Sequence, residues 1–377
     1  MSITLKNVNL IGIDYNFKNK ESNLIINDQG MVYEKGKDNG GNKNNKVLDL
    51  SDYYLSPGWI DLHTHIYYGV SNIGLDPDRI GPATGVTTLV DAGSAGEVNF
   101  LGLKKYIIEP KFYNIFSFIN IGSIGLVYAN DISEFDHLGK LNLDSLVDCI
   151  ENNKEYIKGV KLRASGVILK EWGMEAVKLA KKVSREVNLP LVVHVGEPLP
   201  LLEDILPVLE EGDVLTHCYH GKRWGIFEND NFIPGLKDAV DRGVKLDIGH
   251  GKDSFNFNVA EKAISRGLKP FSISTDLHQQ NVKGPVYNLP LTMSKMLALG
   301  LSLKEVIKKV TKNPAEIIDL DLYQNELIGK KANFTIFKII EEEMKVTDSN
   351  GNHLNIKNNI VPEYTIIGNK IIKVNSI

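Results

Sequence analysis

The chain has 377 residues, of which 42% are hydrophobic and 24% charged, and its formal net charge is −4. This length predicts more than one domain, and the lack of a basic excess argues against nucleic acid as a partner. No apolar run reaches the ~18 residues of a membrane span, and no signal-peptide pattern opens the chain. Because the only cysteines are Cys149 and Cys218, we expect no disulfide framework and a cytoplasmic protein without membrane contact.

Both ends of the chain predict short strands. Apolar stretches and turn residues alternate at 2–12, 22–28, 31–36 and 45–50, and again at 332–339, 345–352 and 361–374. The Ser-Asn-Gly-Asn and Gly-Asn sequences of the second group are typical of hairpin turns. We therefore predict a small β-sandwich domain that both termini build, from residues 1–56 and 325–377.

Residues 57–324 show a different pattern, in which apolar strands alternate with amphipathic helical segments. The clearest helix is 171–188, where one face carries Trp172, Ala176, Leu179, Val183 and Val187. The eight predicted strands are 58–65, 87–93, 113–122, 157–166, 189–197, 212–221, 243–251 and 270–278. Eight such units in about 260 residues predict an α/β fold, a (β/α)8 TIM-like barrel. An open, doubly wound sheet is the structural alternative.

The first of these strands ends in two histidines. His63 and His65 are two residues apart, so their side chains share one face of the strand. A backbone carbonyl can satisfy one buried imidazole, but two on one face are harder to explain by packing. The pair is therefore either a polar strand end or a pair of metal ligands, since neutral imidazole is the commonest metal ligand in proteins.

The other strand ends extend this pattern. Seven of the nine histidines fall at predicted strand ends, the exceptions being His137 and His353. In a (β/α)8 barrel, catalytic groups lie at the C-terminal ends of the strands. The groups at these ends are His63, His65, Lys161, Arg163, His194, His217, His220, His250, Asp276 and His278.

Two of these groups allow a structural and a functional interpretation. Lys161 faces the predicted barrel interior, where it either pairs with an acid or reacts with CO₂ to give a carbamate whose oxygens bridge metal ions. Asp276 either caps the following helix or acts as a metal ligand and proton shuttle. The neighbouring histidines favour the second role for Asp276.

Taken together, these residues resemble the amidohydrolase superfamily, and best its lysine-bridged binuclear branch, over nearly the whole chain. "LSPGWIDLHTH" (55–65) is similar to the family's entry into the barrel, and "VTKNPAEIIDL" (310–320) to its closing helix. "LIGKKANFTIF" (327–337) is similar to the return into the β domain, although Asn333 stands where an Asp is more usual.

The resemblance implies two divalent metal ions, most often zinc. It implies that carboxylated Lys161 bridges the ions, that His63, His65 and Asp276 bind the more buried one, and that His194 and His217 bind the other. It also implies hydrolysis, in which a water between the metals loses a proton and attacks a carbonyl carbon. Asp276 then passes the proton to the leaving group.

The substrate is expected from finer resemblances. Dihydroorotases carry an arginine two residues after the second histidine, where this chain has Tyr67, and D-aminoacylases carry a cysteine that "VDAGSAG" lacks. "GVKLRASG", "THCYHGK" and "DIGHG" are similar to segments of a smaller group associated with selenocysteine synthase-like proteins. That likeness implies a small carboxylate substrate, an acylated α-hydroxy or α-amino acid, cleaved at an ester or amide bond.

Arg163 is the predicted ligand of the substrate's carboxylate, with a structural ion pair as the equal alternative. The residues predicted to complete the pocket are Tyr68, Asn120, Tyr219, His220 and His250. The competing functions are a cyclic amidase of the dihydroorotase or hydantoinase type, a deaminase on the same fold, and a non-catalytic scaffold. Homo-oligomer formation stays open.

Overall fold

The computed structural model describes residues 2–15, 22–34, 45–129, 134–135, 141–322 and 326–374. The strands are β1 (Ser2–Lys6), β2 (Asn9–Leu10), β3 (Leu24–Ile26), β4 (Val32–Glu34), β5 (Asn45–Asp49), β6 (Tyr54–Pro57), β7 (Trp59–Thr64), β8 (Val86–Ala92), β9 (Asn114–Asn120), β10 (Ile157–Ala164), β11 (Leu191–Val195), β12 (Val214–Thr216), β13 (Phe227–Glu228), β14 (Asn231–Phe232), β15 (Lys245–Asp247), β16 (Asn333–Thr347), β17 (His353–Ile367) and β18 (Lys370–Lys373). The helices are α1 (Phe100–Leu103), α2 (Leu143–Glu151), α3 (Gly166–Leu169), α4 (Gly173–Val187), α5 (Leu202–Ile205), α6 (Leu236–Asp241), α7 (Phe257–Ser265), α8 (Leu289–Ala298), α9 (Leu303–Lys309) and α10 (Lys312–Ile317).

Seven strands form a parallel sheet in the order β15-β12-β11-β10-β9-β8-β7. The eighth predicted strand, 270–278, contacts both edges of this sheet. Within it, Leu277 bridges Thr64 of β7 and Ser272 bridges Asp247 of β15, both in the parallel sense. The segment makes single bridges because Asp276 has a φ of 54°, which interrupts regular strand geometry. The curled sheet thus meets itself through this segment.

The helix predicted at 171–188 is α4, and its buried face includes Ala176, Val183 and Val187 of the predicted face, whereas Leu179 is half-buried and Trp172 precedes the helix. It ends at Asn188, whose φ of 53° gives the left-handed conformation that asparagine tolerates at a helix C-terminus. The helix packs against β10, the strand that carries Lys161. None of the helices within the described ranges is long and apolar enough to cross a membrane.

The two ends of the chain build two smaller sheets. The first contains β4, β3, β1 and β5, and the second has the order β18-β17-β16-β6-β2, so it joins strands from both ends. Apolar side chains from these sheets pack together, among them Ile3, Leu24, Leu55, Phe334 and Ile366. This is the β unit that the strand-rich ends predict, while the exact division at residues 56 and 325 stays a prediction.

The hairpin of β16 and β17 is longer than the sequence indicates. The charged stretch 341–343 separates two predicted apolar segments, yet β16 runs through it. Pairing with β17 provides the backbone hydrogen bonds, and register shifts between Ile336 and Phe337 and between Glu341 and Met344 absorb the irregularity. The hairpin tip, residues 348–352, reaches the loop that follows β15.

Candidate active site

The C-terminal ends of the parallel strands surround a cavity of about 170 Å³. Its walls include His63, His65, Lys161, Arg163, His194 and Asp276. The ring of His217 stands beside that of His194, with 4.3 Å between the ring centroids. The structure thus brings together all six residues of the predicted metal site.

Asp276 lies next to the two histidines of β7. Its Oδ1 is 3.0 Å from Nε2 of His65 and 3.3 Å from Nε2 of His63. On the other side, Nζ of Lys161 is also 3.3 Å from Nε2 of His63. The donor atoms of His63, His217 and Asp276 all lie within 4.8 Å of one another. A set of nitrogen and oxygen donors that converges in this way fits a divalent metal ion.

Hydroxyl groups orient the imidazoles of β7. Nδ1 of His63 is 3.0 Å from Oγ1 of Thr216, and that hydroxyl donates to the carboxylate of Asp247 at 2.8 Å. Nδ1 of His65 is 3.0 Å from Oγ of Ser94. In both rings Nδ1 is engaged and Nε2 faces the other donors, as in metal-ligating histidines. Sequence spacing did not indicate Thr216 or Ser94, because both lie on or after other strands.

His217 shows the same orientation by a different route. Its Nδ1 is 2.6 Å from the carbonyl oxygen of Gly249, and its Nε2 is buried with no hydrogen-bond partner in the part of the chain that the structure describes. A buried, unpartnered imidazole nitrogen is costly unless a ligand completes it. His217 and Asp276 also have φ values of 66° and 54°, and such backbone strain in non-glycine residues clusters at functional sites.

The electrostatics of the site suit metal binding. Burial lowers the pKa values of His63, His194 and His217, the last to about 3, so these imidazoles are neutral and their lone pairs are available. Burial alone would raise the pKa of Asp276, but its interactions with the neighbouring imidazoles, above all His63, keep it well below its usual range. The site therefore offers neutral nitrogen donors and an ionised carboxylate.

Lys161 is the buried amine of this site, with 1% of its surface exposed. Burial lowers its pKa to about 8, which increases the neutral fraction that can react with CO₂. Gly93, with a φ of 88°, lies against the lysine stem, and a Cβ at this position would be 2.8 Å from Cγ of Lys161. Glycine is therefore required next to Lys161, a role that the sequence pattern did not indicate.

Arg163 lines the same cavity, but Glu134 occupies its guanidinium fork. Nε and Nη2 of Arg163 donate to the two carboxylate oxygens, each at 2.6 Å. The predicted pocket residue Asn120 donates to the same carboxylate at 3.2 Å, but neither Asn120 nor Glu134 lines the cavity. Burial would raise the pKa of Glu134, but the charge of Arg163 outweighs it and lowers that pKa. The structure thus contains the ion pair that was the alternative role of Arg163.

Comparison with known proteins places this geometry in a family. A family profile described as a deacetylase-like composite domain matches residues 327–372. A deacetylase of Agrobacterium fabrum is 42% identical over 367 residues, which cover 97% of this chain and 90% of that protein. A crystal structure of a dihydroorotase is 41% identical with a TM-score of 0.91, covering 99% of this chain and 98% of the other.

A crystal structure of an adenine deaminase is 36% identical with a TM-score of 0.88, covering 98% of this chain and 99% of the other. The chain belongs to the amidohydrolase superfamily. It is a metal-dependent hydrolase, and the predicted membership of this superfamily is confirmed.

Two of the predicted pocket residues of this amidohydrolase lie away from the cavity wall. Tyr68 is 54% exposed, and Tyr219 is fully buried, with its hydroxyl donating to the carbonyl oxygen of Leu268 at 2.6 Å. The alternation of strand faces does not reach Tyr219, because β12 ends at Thr216 and the backbone turns at His217. The prediction that Tyr219 completes the substrate pocket rested on sequence spacing alone.

The remaining histidines of the amidohydrolase divide between the cavity and its surroundings. His278 lines the cavity, although the predicted pocket did not include it. His220 accepts a hydrogen bond at Nδ1 from the backbone of Lys222, and Nε2 of His250 is 2.8 Å from Nζ of Lys295. Neither His220 nor His250 is part of the cavity wall. His137, one of the two histidines away from the predicted strand ends, lies outside the described residues.

Proposed function

We propose that this amidohydrolase removes the acyl group from acylated α-hydroxy or α-amino carboxylates. The observation that carries the proposal is the convergence of four histidines, Lys161 and Asp276 beside a cavity with cationic walls. The relative from Agrobacterium fabrum is named a deacetylase, which supports hydrolysis of an acyl group. A basic residue of the wall, Lys252, supports an anionic substrate.

We infer that the donor set holds two divalent ions, with zinc as the expected metal. The residues that would hold them are His63, His65 and Asp276 for one ion, His194 and His217 for the other, and Lys161 as a bridging carbamate. The burial of Lys161 and the low pKa of its amine support the carbamate. When bound, the ions supply Lewis acidity toward a carbonyl oxygen and a water that ionises near neutral pH.

The chain's own residues account for proton transfer. Asp276 is ionised and has Oδ1 3.0 Å from Nε2 of His65, so it is placed to accept the proton of the attacking water. It then returns that proton to the oxygen or nitrogen of the leaving group, a role that contributes ~10²–10⁴-fold to rate. Thr216 and Ser94 keep the β7 imidazoles in place while Asp276 does so.

A substrate screen tests this proposal. Zinc-loaded protein is assayed with N-acyl amino acids, acetylated hydroxy acids, cyclic ureides and lactones. We expect turnover of the first two series, loss of turnover with a chelator, recovery with zinc, and close to two metal ions per chain by elemental analysis. Turnover of ureides without turnover of acyl substrates would contradict the proposal.

The second candidate is hydrolysis of a cyclic amide. The 41% identity to a structure named a dihydroorotase favours it. Against it, Tyr67 occupies the place of the arginine that dihydroorotases carry, and its hydroxyl donates to the carbonyl oxygen of Asn99 at 2.9 Å. Ammonia release from adenine provides the corresponding check for deamination, since one similar structure is named an adenine deaminase.

A further inference from the structure

Besides Lys161, three basic side chains stand in the wall of the cavity, and two of them are already neutralised. Glu134 binds the fork of Arg163 through two contacts of 2.6 Å. Nζ of Lys222 is 2.7 Å from the carboxylate of Glu197. Each of these two pairs has no net charge, so neither attracts an anion strongly without first giving up its partner.

Lys252 is the third of these basic residues, and its ammonium group is unpaired within the part of the chain that the structure describes. It lines the cavity and makes no ion pair or hydrogen bond with any residue in the described ranges. Its backbone, by contrast, is held firmly. The preceding residue, Gly251, donates from its N–H to the carbonyl of Thr275 at 2.9 Å and accepts from Oγ of Ser349 at 2.9 Å. A fixed backbone with a free charged end is suited to binding a mobile ligand.

We propose that Lys252 binds the carboxylate of the substrate and that Arg163 serves to pair with Glu134 behind the wall. The inference rests on the proposed function, because it names the residue that makes that site selective for carboxylates. Lys252 follows β15 and stands on the same cavity as Asp276, so a carboxylate on its ammonium leaves the neighbouring acyl group facing the metal ligands. Asp253, also in the wall, opposes an anion and limits the attraction.

The first experiment compares acids with their methyl esters. For Lys252→Met we expect KM for acylated acids to rise about 10- to 100-fold, the loss of one charge-assisted contact, with little change in kcat or in the kinetics of the esters. Lys252→Arg should retain most of the preference for acids. Asp253→Asn should lower KM for acids. Lys304→Met, a change at an exposed lysine of α9 outside the cavity wall, is the matched control.

The salt dependence of KM for acids is a second measurement. A purely structural role of Lys252 would leave this dependence the same in the Lys252→Met variant as in the wild type. High salt screens an exposed charge, so it should raise KM for acids in the wild type and in Lys304→Met but have little effect in Lys252→Met. Equal losses for acid and ester in Lys252→Met would overturn the inference. An acid-selective loss in Arg163→Met, with none in Lys252→Met, would return the carboxylate to Arg163.

A binding measurement separates this inference from the proposed function. Calorimetric titration of N-acetylglycine and its methyl ester into zinc-loaded Asp276→Asn requires no turnover. The acid should bind at least about 10-fold more tightly than the ester. The double variant that also carries Lys252→Met should lose that preference. If the wild type hydrolyses no acylated acid while this preference is present, the reaction is wrong and the anion site stands. If the preference is absent, or is retained without Lys252, the anion site is wrong.

Discussion

Lys161 and Lys295 are two lysines buried in the same α/β fold, at 1% and 0% exposure, in two different surroundings. Burial is the main cause of a lowered pKa in both, to about 8 for Lys161 and about 7 for Lys295. Each amine also lies near Nε2 of a histidine, His63 for the first and His250 for the second. By burial and pKa alone, the two lysines are equivalent.

Their hydrogen-bond partners distinguish them. Lys295 contacts three acceptors, which are Nε2 of His250 at 2.8 Å and the carbonyl oxygens of Pro285 and Thr347 at 2.8 and 2.9 Å. An ammonium group has three N–H donors, so in the protonated form of Lys295 each donor has an acceptor. Lys161 has one such contact among the described residues, at 3.3 Å, and it faces the cavity. A buried lysine with a complete set of acceptors stabilises the fold, whereas one that lacks them is available for chemistry.

The surroundings of Lys295 also connect the five-stranded sheet that contains β16 and β17 to the active site. Thr347 ends β16, and the hairpin tip beyond it contacts the loop after β15. There the carboxylate of Asp348 accepts from the backbone N–H of Phe257 at 2.9 Å, and Oγ of Ser349 donates to the carbonyl of Gly251 at 2.9 Å. The C-terminal hairpin thus supports the loop that carries Lys252.

The largest expected effect is on activity, from Lys161→Met. Loss of the proposed bridging carbamate should reduce bound metal to one ion or fewer and lower kcat/KM by more than about 10³-fold, because a zinc-held water has a pKa of ~7 against ~15.7 in bulk. The metal-free variant should unfold at the same temperature as metal-free wild type or higher, since an incompletely bonded amine is replaced by an apolar chain. Elemental analysis, kinetics and calorimetry measure the three quantities. If Lys161→Met kept its full metal content and wild-type kinetics, Lys161 would be a structural lysine like Lys295.

The next effect is on stability, from Lys295→Met. Three buried acceptors would lose their donor, so the free energy of unfolding should fall by about 2–5 kcal/mol while metal content is retained. Lys309→Met is the matched control, because Lys309 is 8% exposed and its Nζ donates to the carbonyl of Pro270. With one acceptor affected, its loss should be smaller. Denaturant unfolding checks the order, and equal losses would show that the number of acceptors does not matter.

A smaller effect is expected from Thr216→Val, which tests the histidine beside Lys161. Oγ1 of Thr216 holds Nδ1 of His63 at 3.0 Å, so its removal frees the ring that contacts the Lys161 amine. Zinc affinity should fall roughly 10- to 100-fold, as for other groups that orient metal ligands. A competition titration with a chelator measures the affinity. Thr335→Val, at a buried threonine between the small sheet and Gly85, should leave zinc affinity unchanged.

The smallest expected effect is a change with pH in the difference in stability between the wild type and Lys295→Met. The pKa of Lys295 is about 7 in the folded protein and 10.5 for an ordinary lysine. Between these values the unfolded chain binds more protons than the folded one, so the stability that Lys295 contributes rises with pH and is lost as pH falls toward 7. The melting-temperature gap between wild type and Lys295→Met should therefore widen from pH 7 to pH 9. A constant gap would show that the folded pKa is not depressed.

The sequence by itself determined the parts of this protein that depend on local periodicity. Alternation within β7 and β10 placed His63 with His65, and Lys161 with Arg163, on faces that the structure turns toward one cavity. The eight-fold succession of strands then placed His194 and Asp276 at the same edge. These inferences used strand geometry, which fixes the direction of a side chain from its position alone.

Only the tertiary structure decided which neighbours those side chains meet. Glu134 reaches Arg163 from a segment without strand periodicity, and Thr216 reaches His63 from another strand. Lys295 and His250 are 45 positions apart in sequence and bond to each other, whereas Lys252 is left unpaired among the described residues. Sequence periodicity indicates the face of the element on which a side chain lies, but the partner of that side chain comes from a distant part of the chain. That partner decides whether a buried or charged group stabilises the fold or binds a ligand.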